Sequence, residues 1–299
     1  MEPEKFKEIL RGYSVTTVIP FTADLSGIDH DGFKQNLKFL EDKNVPLIIP
    51  NGNTGEFYSL SEQEWYNVLD TVVNTVGSQT TIMSGVGHSI KTALTQIEKA
   101  RSLGINAVMV MYPQHVFASE EGIYDYYRSI LSNSKEMNIV LYKKGPLLTD
   151  DVLRKLMQFD SLVGVKYANG RIVDFAKTVH DLGNSIVWSC GAAERFAPFF
   201  FMAGAQAFTS GLGNFAPKVT ASMYNALEKG DFTSAMEIQR MISALEFLRE
   251  GRGSANNVPV VKFAMDHVGL TGGKCRPPIH QLSDDEKESV IKSIQDWNL

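Results

Sequence analysis

The sequence predicts an α/β fold, a TIM (β/α)8 barrel of parallel strands followed by a C-terminal helical extension. Three observations support it: short β-branched runs alternate with amphipathic segments of ten or more residues, eight such runs occur, and the helical segments carry capping residues. A doubly wound open sheet is the alternative arrangement of the same elements. The 299 residues suit one barrel, because such barrels reach about 250 residues around a single core.

The eight predicted strands are apolar runs, each followed by a loop and a helical segment. They lie at 14–21, 46–50, 80–87, 107–113, 138–144, 162–168, 185–191 and 207–214. Active sites of TIM barrels lie at the C-terminal ends of the strands. Residues at the strand ends are therefore the candidates for chemistry.

The predicted helices carry start and stop signals. A capping hydroxyl precedes acidic residues at three starts, Ser61, Ser119 and Thr149. Five segments end at a glycine suited to a left-handed C-terminal residue: Gly77, Gly104, Gly183, Gly204 and Gly230. Further helical segments near 231–250, 258–268 and 283–297 predict a barrel at 1–230 and an extension packed on it at 231–299.

Composition limits the class of function. With 43% apolar and 21% charged residues, the chain can bury a sizeable core, unlike disordered or fibrous proteins. The net charge of −5 without a basic stripe argues against nucleic acid as a partner, and no apolar run is long enough for a membrane span. Cys190 and Cys275 lack zinc or disulfide spacing, so we predict a cytoplasmic protein acting on a small molecule.

Two strand-end residues predict the chemistry. Lys166 stands in the apolar run LVGVKYA, where burial disfavours the ammonium ion and supplies the free amine that attacks a ketone. Tyr142 comes from the end of the preceding strand, where a phenol can transfer protons. The alternatives are a lysine that extends to solvent and a core tyrosine.

The turn after the second strand predicts an anion site. Gly52 and Gly55 flank Asn53 and Thr54 between a strand and a helix. Bare backbone amides and a hydroxyl group can bind a carboxylate there. The alternative is a purely structural turn, which would use the same glycines.

Two histidines, His88 and His115, follow the third and fourth strands, where an imidazole could donate to a substrate oxygen. The alternative is a role in the loops or behind the groups that touch substrate. The sequence places no carboxylates near them to complete a metal site. We therefore predict no metal.

Together these motifs resemble the dihydrodipicolinate synthase and N-acetylneuraminate lyase family, whose members are Schiff-base aldolases, lyases and dehydratases on TIM barrels. The stretches that carry the resemblance are NGNTGEFYSLSEQEW, VLY ending at Tyr142, VGVKYANG and VKFAMDHVGLTGGKCRPPIHQLS. The resemblance implies that Lys166 is the Schiff-base lysine and Tyr142 the proton relay. It implies a carboxylate site made of Thr54 with the amides of Thr54 and Gly55. It further implies two substrate-facing positions, Gly191 and Thr209.

The family also implies that no cofactor is needed and that the chain forms a homodimer or homotetramer. Three departures from the synthase pattern bear on the substrate. After the tyrosine there is no arginine to hold a second carboxylate, although Lys143 or Lys144 could replace it as a point charge. Asn53 replaces the first threonine of the turn, and His115 stands where synthases carry a tyrosine that enters a neighbouring subunit.

The short segment after the tyrosine, GEFYSL and FTSGLGNFAP are more similar to the branch that dehydrates 5-keto-4-deoxyglucarate. There Ser210 and Asn214 would meet substrate hydroxyl and carboxylate groups. We predict a class I (Schiff-base) lyase, a dehydratase or aldolase of a keto-deoxy sugar acid or related 2-oxo acid. The alternatives are 4-hydroxy-tetrahydrodipicolinate synthase, which condenses pyruvate with aspartate semialdehyde, and a non-catalytic 2-oxo acid binding protein. A binder would need neither Lys166 nor Tyr142.

Overall fold

The computed structural model describes residues 1–297, and its eight strands are hydrogen-bonded in chain order into a closed barrel. The strands are β1 Tyr13–Thr16, β2 Leu47–Ile49, β3 Thr81–Val86, β4 Ala107–Val110, β5 Asn138–Lys143, β6 Leu162–Tyr167, β7 Val187–Cys190 and β8 Ala207–Ser210. Neighbouring strands pair in parallel. The predicted barrel is confirmed, and the open sheet is wrong. Each strand is shorter than its predicted run because the apolar pattern included loop residues at the strand ends.

Twelve α-helices occur in residues 1–297. They are α1 Pro3–Leu10, α2 His30–Asp42, α3 Glu62–Thr75, α4 Ile90–Ser102, α5 Glu120–Ser132, α6 Asp150–Leu156, α7 Ile172–Leu182, α8 Ala197–Met202, α9 Pro217–Glu228, α10 Phe232–Glu250, α11 Asn257–His267 and α12 Asp284–Ile294. The sequence pattern did not predict α1, which buries Phe6 and Leu10. None of these helices combines the length and apolar character needed to cross a membrane.

The predicted helix starts are confirmed. Ser61 accepts a hydrogen bond from the Glu64 amide at 3.2 Å, and the Glu64 carboxylate accepts one from the Ser61 amide at 2.9 Å, which completes a capping box. Ser119 and Thr149 accept from the amides of the residues three positions later. Four of the predicted terminal glycines have positive φ: Gly104, Gly183, Gly204 and Gly230.

The fifth predicted stop, Gly77, is wrong as a left-handed residue. Helix α3 ends at Thr75, and Gly77 is not among the glycines with positive φ. Its amide instead donates to Oε1 of Glu41 at 2.6 Å. A tertiary hydrogen bond, which the local sequence does not reveal, determines the conformation there.

The chain divides into two compact units. The first comprises residues 1–14 and 81–209, and the second comprises residues 15–80 and the chain from 210 onward. In the first unit, β5 and β6 are buried along their full lengths, as strands covered on both faces are. In the second unit, α9 to α12 pack on one another. The predicted boundary at residue 230 stays a prediction.

Candidate active site

Lys166 and Tyr142 lie side by side in the first unit. They are partners in the parallel register of β5 and β6, each one residue before the C-terminal end of its strand. Both side chains are buried, and Nζ of Lys166 is 4.8 Å from the centroid of the Tyr142 ring. This arrangement places an amine next to a phenol at the end of the barrel where active sites occur. Their catalytic roles stay predictions.

Gly191 borders the side chain of Lys166. A Cβ atom on Gly191 would lie 2.8 Å from Cγ of Lys166 and 2.9 Å from Cβ of Ala168. The Gly191 amide donates to the Tyr167 carbonyl at 2.7 Å, so its backbone is fixed just beyond β7. Only a residue without a side chain leaves Lys166 its present position, which gives Gly191 a physical role beside the candidate nucleophile.

Lys143 faces away from Lys166. It is the register partner of Tyr167, and successive side chains of a strand point to opposite faces. Its Nζ donates to the Leu148 carbonyl and lies 5.3 Å from the centroid of the Tyr167 ring, and burial lowers its pKa. Lys143 therefore does not replace the missing arginine. Of the two lysines considered, only the exposed Lys144 remains for that role.

The loop that carries Lys144 packs against Tyr112, which lies two residues after the end of β4. A Cβ atom on Gly145 would lie 2.3 Å from Cζ and 2.5 Å from the hydroxyl oxygen of Tyr112. Burial raises the pKa of Tyr112, and a hydrogen bond with the Leu147 backbone opposes that shift. The glycine after the two lysines was the one local signal of this close approach.

Thr209 and Ser210 are the last two residues of β8, and Asn214 lies in the short 3-10 turn Leu212–Asn214 after it. The three residues differ in their contacts. Thr209 is buried and accepts a hydrogen bond from Ser14 Oγ at 3.1 Å. Ser210 Oγ accepts from the Gly213 amide at 2.6 Å, within the turn that leads to α9. Substrate contact by Thr209 and Ser210 stays a prediction.

The side-chain amide of Asn214 is hydrogen-bonded to backbone groups. Its side-chain oxygen accepts from the Val18 amide at 2.9 Å, and its side-chain nitrogen donates to the Thr16 carbonyl at 2.8 Å and the Gly211 carbonyl at 3.0 Å. Both hydrogens of the amide group are thereby used. Asn214 therefore links the turn after β8 to the end of β1 and the residues that follow it. Its contact with substrate, which the resemblance implies, stays a prediction.

The predicted carboxylate turn lies in the second unit. Residues Asn53–Gly55 form a short 3-10 helix in which Thr54 and Gly55 are buried. The Gly55 amide donates to the Gly52 carbonyl at 3.0 Å. Since that amide is used within the turn, Thr54 becomes the strongest candidate donor there. A Cβ atom on Gly55 would lie 2.9 Å from the Thr17 carbonyl oxygen, so the glycine is also needed for packing.

Glu56, the residue after this turn, forms an ion pair that the sequence did not predict. Its side chain is 0% exposed, and its Oε1 lies 2.6 Å from Nζ of Lys262 in α11, which is 1% exposed. Its Oε2 accepts from the Arg276 amide at 2.9 Å. The C-terminal segment VKFAMDHVGLTGGKCR thus supplies both partners. The partners are more than 200 residues from Glu56 along the chain, and no local pattern pairs them.

A second ion pair lies beside the first. The Arg276 guanidinium is 2.6 Å from Oε1 of Glu64 and lies over the Phe21 ring, 4.1 Å from its centroid. The hydrogen bond from Arg276 lowers the pKa of Glu64 to about 2. Burial raises the pKa of the neighbouring Cys275 thiol to about 12, so this cysteine is a protonated core residue at neutral pH.

The two candidate histidines lie in exposed loops of the first unit. His88 has a positive φ of 70°, and partial burial of its ring lowers its pKa. Nδ1 of His115 accepts a hydrogen bond from the Phe117 amide at 3.1 Å, which organises the loop after β4. Contact of His115 with substrate stays a prediction. Across residues 1–297, no group of three or more His, Cys, Asp or Glu side chains converges as metal ligands do.

Comparison with known proteins agrees with this architecture. The chain is 28% identical over 291 residues to a protein of Oceanobacillus iheyensis named "Probable 5-dehydro-4-deoxyglucarate dehydratase", covering 95% of this chain and 92% of that one. It is 27% identical over 296 residues to 4-hydroxy-tetrahydrodipicolinate synthase of Methanopyrus kandleri, covering 97% of each. The crystal structure of dihydrodipicolinate synthase from Oceanobacillus iheyensis has a TM-score of 0.95 at 32% identity, covering 99% of both chains.

These similarities confirm the resemblance on which the site residues were assigned. The match to the family model, described as the Dihydrodipicolinate synthetase family, extends over residues 9–297 and so includes every candidate site residue. The chain belongs to the dihydrodipicolinate synthetase family.

Proposed function

We propose that this chain is a lyase that binds a 2-oxo acid as a Schiff base on Lys166 and dehydrates or cleaves it. Its substrate is a keto-deoxy sugar acid or a related 2-oxo acid. The observation that carries the proposal is the buried Lys166 with its Nζ 4.8 Å from the centroid of the Tyr142 ring. The names of the similar proteins, a dehydratase and a synthase, support a lyase.

The proposed reaction begins when the amine of Lys166 attacks the C2 carbonyl carbon. The carbinolamine then loses water, which carries away the carbonyl oxygen, and Tyr142 transfers the protons that these steps require. The protonated imine withdraws electrons, so a proton leaves C3 and an enamine forms. In a dehydratase the enamine expels the hydroxyl group at C4 as water, and hydrolysis of the imine releases the product and restores the amine.

Substrate binding is assigned by polarity and position. The carboxylate next to the ketone is bound by Thr54 in the turn Asn53–Gly55, a buried hydroxyl-bearing residue in a glycine-flanked turn. The other proposed substrate-facing residues lie at the ends of β4, β5, β7 and β8; they are His115, Lys144, Gly191, Thr209 and Ser210. The exposed Lys144 is the proposed partner of a distal anionic group.

The decisive test is reduction with borohydride in the presence of pyruvate, followed by peptide mass spectrometry. A Schiff base on Lys166 would be reduced to a stable secondary amine, which adds the mass of the reduced pyruvate to the peptide that contains Lys166. Lys166→Ala should lose the adduct, whereas Lys143→Met should keep it because Lys143 faces the other side of β5. A wild-type protein without adduct at saturating pyruvate would contradict the proposal.

A second candidate function is condensation of pyruvate with aspartate semialdehyde. The 32% identity to the crystal structure of dihydrodipicolinate synthase from Oceanobacillus iheyensis favours it. Against it, the arginine with which the synthases hold a second carboxylate is absent. Lys143 faces away from Lys166, so only the exposed Lys144 could replace that arginine, and it would do so as a point charge. A coupled assay with both substrates separates the two functions: turnover supports the synthase, and trapping of pyruvate without turnover removes it.

Assembly as a homodimer or homotetramer belongs to the same proposal. In the loop after β4, the two residues that follow His115 are highly exposed: Val116 is 89% exposed and Phe117 is 87% exposed. Large apolar side chains at the tip of a loop favour burial against another molecule. Light scattering over a range of concentrations measures the assembly, and a monomer throughout would contradict this part.

A further inference from the structure

The conformation of the Asn53–Gly55 turn depends on the residue that follows it. Glu56 has φ of 56° and ψ of 41°, in the left-handed region that residues with side chains seldom adopt. Its amide donates to the Asn53 carbonyl at 3.0 Å and closes the turn. A residue in this region persists only where the surrounding structure holds it, so the contacts of the Glu56 side chain bear on the whole turn.

Those contacts fix the Glu56 carboxylate at both oxygens. Oε1 lies 2.6 Å from Nζ of Lys262, and Oε2 accepts from the Arg276 amide at 2.9 Å. Lys262 is held in turn, because its Nζ donates to the Lys274 carbonyl at 2.9 Å and lies 4.5 Å from the centroid of the Phe21 ring. Neither charge can be solvated where it is, so each depends on the other for compensation.

We infer that the Glu56–Lys262 ion pair is a positioning device for the carboxylate of the 2-oxo acid substrate. The pair holds the turn in the conformation in which Thr54 binds that carboxylate, and the inference rests on the function proposed above. Glu56 is covalently joined to Gly55 and hydrogen-bonded to Asn53. A shift of its carboxylate therefore moves the peptide groups on which Thr54 is mounted.

A purely stabilising role would produce a different result. Any buried ion pair destabilises the protein when one partner is removed, because the other charge is left uncompensated. Positioning adds a loss of affinity for the carboxylate that does not follow from the loss of stability. The experiment must therefore measure affinity and thermal stability separately, in variants that lose similar amounts of stability.

The test uses the wild type, Glu56→Gln, and Glu246→Gln as a matched control. Glu246 and Arg249 form another buried pair, 2.6 Å apart with side chains 6% and 4% exposed, within α10. For each protein, Tm is measured without ligand, and the pyruvate concentration that gives half-maximal borohydride trapping is determined. Glu56→Gln should raise that concentration by about tenfold at an unchanged maximal adduct, the effect of misaligning one charged hydrogen bond. Glu246→Gln should lower Tm without raising the pyruvate concentration that gives half-maximal trapping.

The double variant Glu56→Gln with Lys262→Met completes the test. It removes both charges of the buried pair, so it should recover much of the Tm that Glu56→Gln loses. If Glu56→Gln does not fold, the affinity for pyruvate is measured in the double variant instead. Half-maximal trapping should still require about tenfold more pyruvate, because the turn has lost its anchor. Recovery of affinity along with Tm, an equal loss of affinity in Glu246→Gln, or unchanged affinity in Glu56→Gln would each overturn the inference. A wild type that forms no adduct would instead overturn the proposed function, and this inference with it.

Discussion

Gly191→Ala is expected to slow the reaction of Lys166 by displacing its side chain, although the amine itself is unchanged. The added Cβ would lie 2.8 Å from Cγ of Lys166 and 3.1 Å from the Cα of Ala168. Carbon atoms in contact ordinarily approach to about 3.5–4.0 Å, so the lysine side chain has to move by about 1 Å. Overpacking of this kind costs about 1–3 kcal/mol of stability, and a misplacement of about 1 Å at a reacting group costs about 100-fold in rate.

The assay is the rate of borohydride trapping at saturating pyruvate, with Tm measured in parallel. Gly27→Ala is the control for the substitution itself, because a Cβ there would have no atom of residues 1–297 within 4 Å apart from Gly27 and its two chain neighbours. Gly164→Ala is the control for overpacking within β6, since its Cβ would lie 2.7 Å from Cδ2 of Leu10. If Gly191→Ala reacts at the wild-type rate, or Gly164→Ala loses as much rate for the same loss of Tm, the reasoning about Lys166 is refuted.

Three further outcomes follow from the same contacts. Tyr142→Phe keeps the ring beside Lys166 but removes the proton-transfer group, so turnover should fall by about 10²–10⁴-fold while some adduct still forms, as steady-state kinetics and trapping can measure. Lys144→Ala should raise KM for a dicarboxylate severalfold and leave pyruvate trapping unchanged; equal effects on both would contradict its assignment to the distal anion. For Glu64, the pKa of about 2 lies below its ordinary 4.5, so the carboxylate stabilises the fold above pH 4.5 and this contribution is lost as pH falls toward 2. Glu64→Gln should therefore lower the free energy of unfolding by about 2–3 kcal/mol at pH 7, with the difference vanishing near pH 2 in denaturant titrations.

Local patterns were sufficient for the elements of the fold. Alternating β-branched runs and capping hydroxyls act within a few residues, and the capping box at Ser61 and Glu64 forms as its spacing predicts. Where a distant contact decides the conformation, the local pattern fails. Gly77 does not end a helix as a left-handed residue, because its amide donates to the Glu41 carboxylate, 36 residues away along the chain.

The candidate site was predictable to the same extent. Lys166 and Tyr142 could be paired in advance because consecutive parallel strands bring their ends together. The Glu56–Lys262 pair could not, since its partners are more than 200 residues apart and each belongs to a motif with another apparent purpose. Strand alternation, applied residue by residue, would have separated Lys143 from Lys166, because adjacent strand residues face opposite sides.

Three buried lysines of this chain show which physical property distinguishes a candidate nucleophile. The amine of Lys262 is 2.6 Å from the Glu56 carboxylate and donates to the Lys274 carbonyl at 2.9 Å, so it is held by two structural partners. Lys143 has a pKa lowered by burial, yet its Nζ donates to the Leu148 carbonyl on the face of β5 opposite Tyr142. Lys166 has the Tyr142 ring as its register partner, as Lys143 has Tyr167, but it alone of the three has a glycine, Gly191, against its side chain. Burial is thus common to all three, and the neighbours of the amine, rather than its burial, support the assignment of Lys166.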